Sequence, residues 1–94
     1  APQPPAKFIG CIKKNEFLNK SECILEASWR ASHSPNVVAY HIYKGDKVVA
    51  RVRAKSRLVF VEKLSKCSAK GYSITAVNKQ GQESNRVKLK IVSQ

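Results

Sequence analysis

Positive charge recurs at every second residue in two stretches of the chain. RVRAKSR (51–57) carries Arg51, Arg53, Lys55 and Arg57, and RVKLKIV (86–92) carries Arg86, Lys88 and Lys90. A period of two belongs to an extended strand, whose alternate side chains share a face. Guanidinium and ammonium groups arranged in this way attract phosphate, sulfate or carboxylate. The surplus is large: 18 Lys and Arg stand against six Asp and Glu, a formal charge of +12. Such a field raises encounter rates with nucleic acid, acidic polysaccharide or an anionic lipid surface without choosing among them. A plainer role competes for Arg51 and Arg53, because charge on an edge strand discourages another chain from pairing there.

Other reactive residue types are sparse. Asp46 is the one aspartate and falls in a Gly-Asp turn, so a Ser-His-Asp triad has no acid to spare. His33 reads as a loop residue and His41 as an outward strand residue, and the few carboxylates suggest no glycosidase pair. No glycine-rich phosphate loop occurs. The chain is therefore not expected to be an enzyme, and no cofactor is expected. Cys11, Cys23 and Cys67 lack the C-x-x-C spacing of a structural zinc site, so no metal is expected either. Three reduced thiols are the favoured state, with a Cys11–Cys23 cross-strand bridge as the alternative if the first two strands are neighbours. Asn19-Lys20-Ser21 fits an N-glycosylation acceptor.

Ninety-four residues, 43% of them hydrophobic, suffice for one packed domain. No apolar run approaches the ~18 residues of a membrane-spanning helix, and no signal-like segment is present. A start at Ala and the lack of Met suggest a segment of a longer protein. Three prolines within the first five residues read as a linker over 1–5, with the domain over 6–94. Seven short apolar runs separated by turn formers then predict strands: FIGCI (8–12), CILEASW (23–29), VVAYHIYK (37–44), KVVARVR (47–53), LVFVEKL (58–64), GYSITAV (71–77) and RVKLKIV (86–92). Gly45-Asp46 suits a two-residue hairpin turn. KKNEFLNKSE (13–22) reads as a polar loop whose Phe17 and Leu18 fold back over one end of the core.

Seven strands without a helix predict an all-β, antiparallel sandwich. Trp29 in the second strand, Tyr40 and Ile42 in the third, Leu64 before the sixth, then YSITAVN (72–78) and Gly81 to Ser84 resemble the signature of a fibronectin type III domain, an immunoglobulin-like fold. The likeness runs from Pro4 or Pro5 to about Val92, and the YHIYKGD turn (40–46) leans towards bacterial members. It implies that Trp29, Tyr40, Ile42, Leu64, Tyr72, Ile74 and Ala76 are structural core, with Tyr72 making the tyrosine corner. An immunoglobulin domain proper would set its tryptophan on the strand after the first core cysteine. Here Trp29 shares a strand with Cys23, and the sixth strand has no cysteine. The stretch from Leu64 to Tyr72 departs from the family in lacking Pro-Gly and holding Cys67.

In the family's topology strands C, C′, F and G share a sheet, with KVVARVR as C′ at its edge. Arg51, Arg53, Arg86, Lys88 and Lys90 would then rim one face of it, with Tyr43 open for stacking on a sugar or base. Lys55 and Arg57 fall in the following bend. Lys44-Gly45-Asp46 is not expected to bind integrins, because the family's adhesive tripeptide sits between the last two strands. The expected function is a non-catalytic structural or spacer and interaction module of a larger multidomain surface or secreted protein, extracellular or in the cell envelope. Its partners are then the neighbouring domains of the parent chain. The alternatives are a module binding acidic polysaccharide or another protein through that basic face, or an accessory domain of a carbohydrate-active enzyme. Nucleic acid is not the expected partner.

Overall fold

Alternation of apolar and polar residues keeps the chain extended along most of its length. The structure, a computed structural model, describes residues 1–17 and 20–92, with the backbone alone at Phe17 and Lys20. The strands are β1 (Ala6–Phe17), β2 (Lys20–Arg30), β3 (Val37–Lys44), β4 (Lys47–Arg53), β5 (Val59–Leu64), β6 (Tyr72–Asn78), β7 (Val87–Lys88) and β8 (Lys90–Ile91). They form two four-stranded sheets, ordered β5-β2-β1-β8 and β4-β3-β6-β7, and the described residues include no helix. No helix is therefore long and apolar enough to cross a membrane. All pairings are antiparallel except β1 with β8.

The core draws on both sheets. Leu25, Ala27 and Trp29 of β2 meet Tyr40 and Ile42 of β3 and Tyr72, Ile74 and Ala76 of β6, with Phe8, Cys23 and Leu64 completing the cluster. The Trp29 indole stands edge-on to Phe8 and to Tyr40, with centroids 6.0 and 5.7 Å away, the arrangement that aromatic quadrupoles favour. Burying each of these large side chains stabilises the fold by ~1.5–3 kcal/mol. The Tyr72 hydroxyl donates to the Glu62 carboxylate of β5. It therefore does not form the tyrosine corner expected of it, which needs a backbone acceptor. The Tyr40 hydroxyl accepts the Ser32 N–H at 2.9 Å.

Several local expectations are overturned. Residues 13–17 and 20–22 are not loop: the β1–β2 ladder continues through Lys14–Cys23, Asn15–Glu22 and Glu16–Ser21 to Phe17–Lys20. Backbone pairing suffices there without an apolar face, and the pairs Lys14–Glu16 (3.1 Å) and Lys63–Glu22 (2.9 Å) decorate it. The proposed folding-back of Phe17 and Leu18, and the acceptor Asn19, lie outside the described residues. Twelve residues at ~3.3 Å each make β1 about 40 Å long, which accounts for a longest dimension of 48 Å.

The last apolar run is not one strand. It divides at Leu89, whose N–H donates to Tyr72 O at 3.0 Å, and beyond it β8 leaves β6 and joins β1, with Val92 N–H donating to Gly10 O at 2.8 Å. Gly10 makes this approach possible. A Cβ there would sit 3.0 Å from Leu25 Cδ1 and 3.2 Å from Leu89 Cδ1. The described residues thus hold eight strands where seven were expected.

The cysteines are not all reduced, and the bridge is not the one considered as an alternative. Cys23 bonds to Cys67 across 44 residues, with Cα atoms 5.3 Å apart. Strand parity explains the choice: Cys23 faces the core with Leu25, whereas Cys11 pairs with Glu26 on the opposite face. The opening residues lie against the domain. Pro2 and Pro5 are buried, Gln3 N–H donates to Ser34 Oγ at 2.8 Å, and Ser32 Oγ donates to Gln3 O at 2.6 Å.

Candidate functional site

The outward side of the β4-β3-β6-β7 sheet carries the expected cations, but its centre is acidic. Register sets His41 of β3 beside Arg51 of β4 and Thr75 of β6, Ala39 beside Arg53 and Val77, and Ser73 beside Tyr43 and Lys88. Ala39, Ser73, Thr75 and Val77 point away from the core yet are buried. Over Thr75 lies the Glu83 carboxylate, which accepts from its hydroxyl.

Glu83 occupies the middle. It arrives from the turn after β6, where Asn78 Oδ1 accepts the N–H groups of Gln80 (3.0 Å) and Gln82 (2.9 Å), and Gly81 takes φ 81°. A bridge from Val77 to Glu83 then lays the residue along the sheet. The hydroxyls of Tyr43 and Thr75 donate to Glu83 Oε1, the latter at 2.7 Å, and His41 Nδ1 lies 3.3 Å from the same oxygen. Arg51 Nη1 donates to His41 Nε2 at 3.0 Å. Because that nitrogen accepts, Nδ1 carries the proton and points it at Glu83. The Tyr43 hydrogen bond is the main influence holding the Glu83 carboxyl below its ordinary range; Thr75 and His41 add to it, while burial opposes it. The same bond, then burial, pushes the Tyr43 hydroxyl up.

Arg86 closes the face on one side. Its guanidinium carbon lies 4.0 Å from the centroid of the Tyr43 ring, and Nη1 donates to Gly45 O at 2.9 Å, with Asp46 Oδ1 at 3.6 Å. Tyr43 is 8% exposed and capped by that stack, so it is not open for a sugar or base. The contact stabilises by about 0.5–1 kcal/mol, and the exposed pair with Asp46 adds little.

The structure thus brings Arg51, Arg53, Arg86 and Lys88 to one sheet and separates Lys90 from them. Lys90 pairs with Ile9 on the other sheet because β8 has crossed over. Arg51 is occupied by His41, whereas Arg53 and Lys88 are exposed. Beside this face a cleft of about 550 Å³ opens at Gly45, Gly71, Ser73, Lys70, Arg86 and Lys88. Two residues of consequence escaped the sequence reading, Glu83 and Lys70. Both sit in connections rather than strands, and the signal for Glu83 was its place two residues beyond the turn glycine. No family model matches the chain, and no curated protein or solved structure matches it.

Proposed function

We propose that the chain is a fibronectin type III-like domain of the immunoglobulin-like class, acting as a non-catalytic spacer and interaction module within a larger surface or secreted protein. The observation that supports this reading is the strand order around Trp29. The first, second and fifth strands share one sheet, joined at its edge by the short eighth, and the third, fourth, sixth and seventh share the other. The Cys23–Cys67 bond favours an extracellular or envelope location, since such bridges persist in oxidising compartments. Neighbouring domains of the parent chain are then the first partners. Thermal unfolding tests the reading. A self-sufficient module melts within about 2 °C of the same midpoint alone and inside a longer piece of its parent, whereas a fragment of a larger core melts ~10 °C or more lower when excised.

A second reading, favoured by exposed Arg53 and Lys88 in a chain of charge +12, is capture of acidic polysaccharide, alone or as the accessory domain of a carbohydrate-active enzyme. It is compatible with the spacer role. Retention on immobilised heparin that survives about 0.3 M salt supports it, and elution below about 0.2 M marks diffuse charge alone.

A further inference from the structure

We infer that the anion-recognising element is the cleft beside the basic face rather than the face itself, and that it receives one sulfate- or carboxylate-bearing unit of an acidic polysaccharide. The inference rests on the second reading above. Charge distribution is the first argument. Lys70, Arg86 and Lys88 line the cleft with Ser73, and among the described residues no Asp or Glu lines it. The flat face, in contrast, carries Glu83 at its middle, and an anion arriving there meets a carboxylate already holding the local donors.

Preorganisation is the second argument. Lys88 stands on β7 directly opposite Ser73. Arg86 is oriented by the Tyr43 ring and by Gly45 O. Among the described residues its hydrogen bond and ion pair use Nη1 alone, so most of the five donors of a guanidinium remain for a ligand. Lys70 follows Cys67 in the connection that the disulfide ties to β2, and Gly45 N–H donates to Gly71 O at 2.9 Å on its other side. Arg86, held in place in this way, loses less freedom on binding than a lysine on an open strand.

Size and the absence of an open ring select the ligand class. A cleft of about 550 Å³ fits a unit of one or two sugar rings and lies within the usual ~300–1,000 Å³ of small-ligand sites. Single-stranded nucleic acid gains much of its affinity by stacking bases on aromatic side chains. Here Tyr43 is covered by Arg86, and Tyr72 is 3% exposed with Lys44 Nζ 5.6 Å from its centroid. Neither offers a platform.

The test is calorimetric titration of the intact disulfide-bonded chain with a sulfated heparin hexasaccharide, at several salt concentrations, beside a thymidine dodecamer. Replacing the exposed pair Lys70→Ser with Lys88→Ser should weaken hexasaccharide binding about tenfold or more, the loss of a charge-assisted contact. The slope of log affinity against log salt should fall by about two. The equal charge change Lys55→Ser with Arg57→Ser should weaken it less than about threefold, as screened long-range charge does. Equal losses from the two pairs overturn the cleft and leave diffuse attraction. No binding by the unaltered chain overturns the cleft and polysaccharide capture together, leaving the spacer reading intact. Tighter binding of the dodecamer than of the hexasaccharide overturns the ligand class.

Discussion

Glu83 shows how one carboxylate organises a surface that formal charge alone describes poorly. It accepts hydrogen bonds from the hydroxyls of Tyr43 and Thr75 and faces His41, so Glu83→Gln should destabilise the chain by about 1–2 kcal/mol in urea denaturation, the scale of losing a charged acceptor. Its lowered pKa sets an acid limit. The contribution is complete above about pH 5 and is lost as pH falls below the ordinary 4.5 and through the depressed folded value, because the unfolded chain takes up the proton first. An alkaline limit has the opposite origin. Tyr43, mainly through its bond to Glu83, and Tyr72, mainly through burial and then its bond to Glu62, both lie above the ordinary 10.0. Above that pH the unfolded chain releases these protons first, so stability falls as pH rises. Ultraviolet titration of phenolate should show both rings ionising later than a free tyrosine. Trp29 makes a different case, because its buried Nε1 has no hydrogen-bond partner among the described residues. Trp29→Ala should cost about 3–5 kcal/mol, and Trp29→Phe less than half of that, since it also removes the unpaired donor.

Connections, not strands, hold most of what escaped sequence reading. β2, β3, β4 and β5 were legible because each turns one face to the core and the period of two survives in their composition, and β6 because a short run of apolar and small residues suits a strand buried on both faces. The distal β1–β2 ribbon has no such face, and its backbone ladder leaves no period of two in the sequence. RVKLKIV alternates without a break, so its division at Leu89 left no mark in the pattern; the cause is the close approach at Gly10. Gly10→Ala should therefore cost about 1–3 kcal/mol through crowding against Leu25 and Leu89, with hydrogen exchange fastest to respond at the Val92 amide. Cys67 was equally hidden, since a loop cysteine carries no periodicity. Removing the bridge with Cys23→Ser and Cys67→Ser frees a closed segment spanning 44 residues, a loss of about 4 kcal/mol by chain entropy. Denaturation with and without reductant measures it.

At the scale of the molecule, sequence indicated two layers around Trp29 and a cationic exterior, while the sharing-out of cations depended on which strand each joined. Lys90 shows this, because a single crossover placed it on the opposite sheet from Lys88. The long first hairpin also elongates the whole. The Cα radius of gyration is 14.1 Å, against ~12 Å for a compact chain of this length, and small-angle scattering should find the larger value. The crossover matters again if the chain is stretched. β1 and β8 run side by side in the same direction and lie near opposite termini. Tension on the two ends drags them past each other, so the bonds joining them are sheared together instead of being unzipped singly. In single-molecule pulling, where the unfolding rate governs the outcome, the force peak should drop when Val92→Pro removes the amide that donates to Gly10 O across that seam.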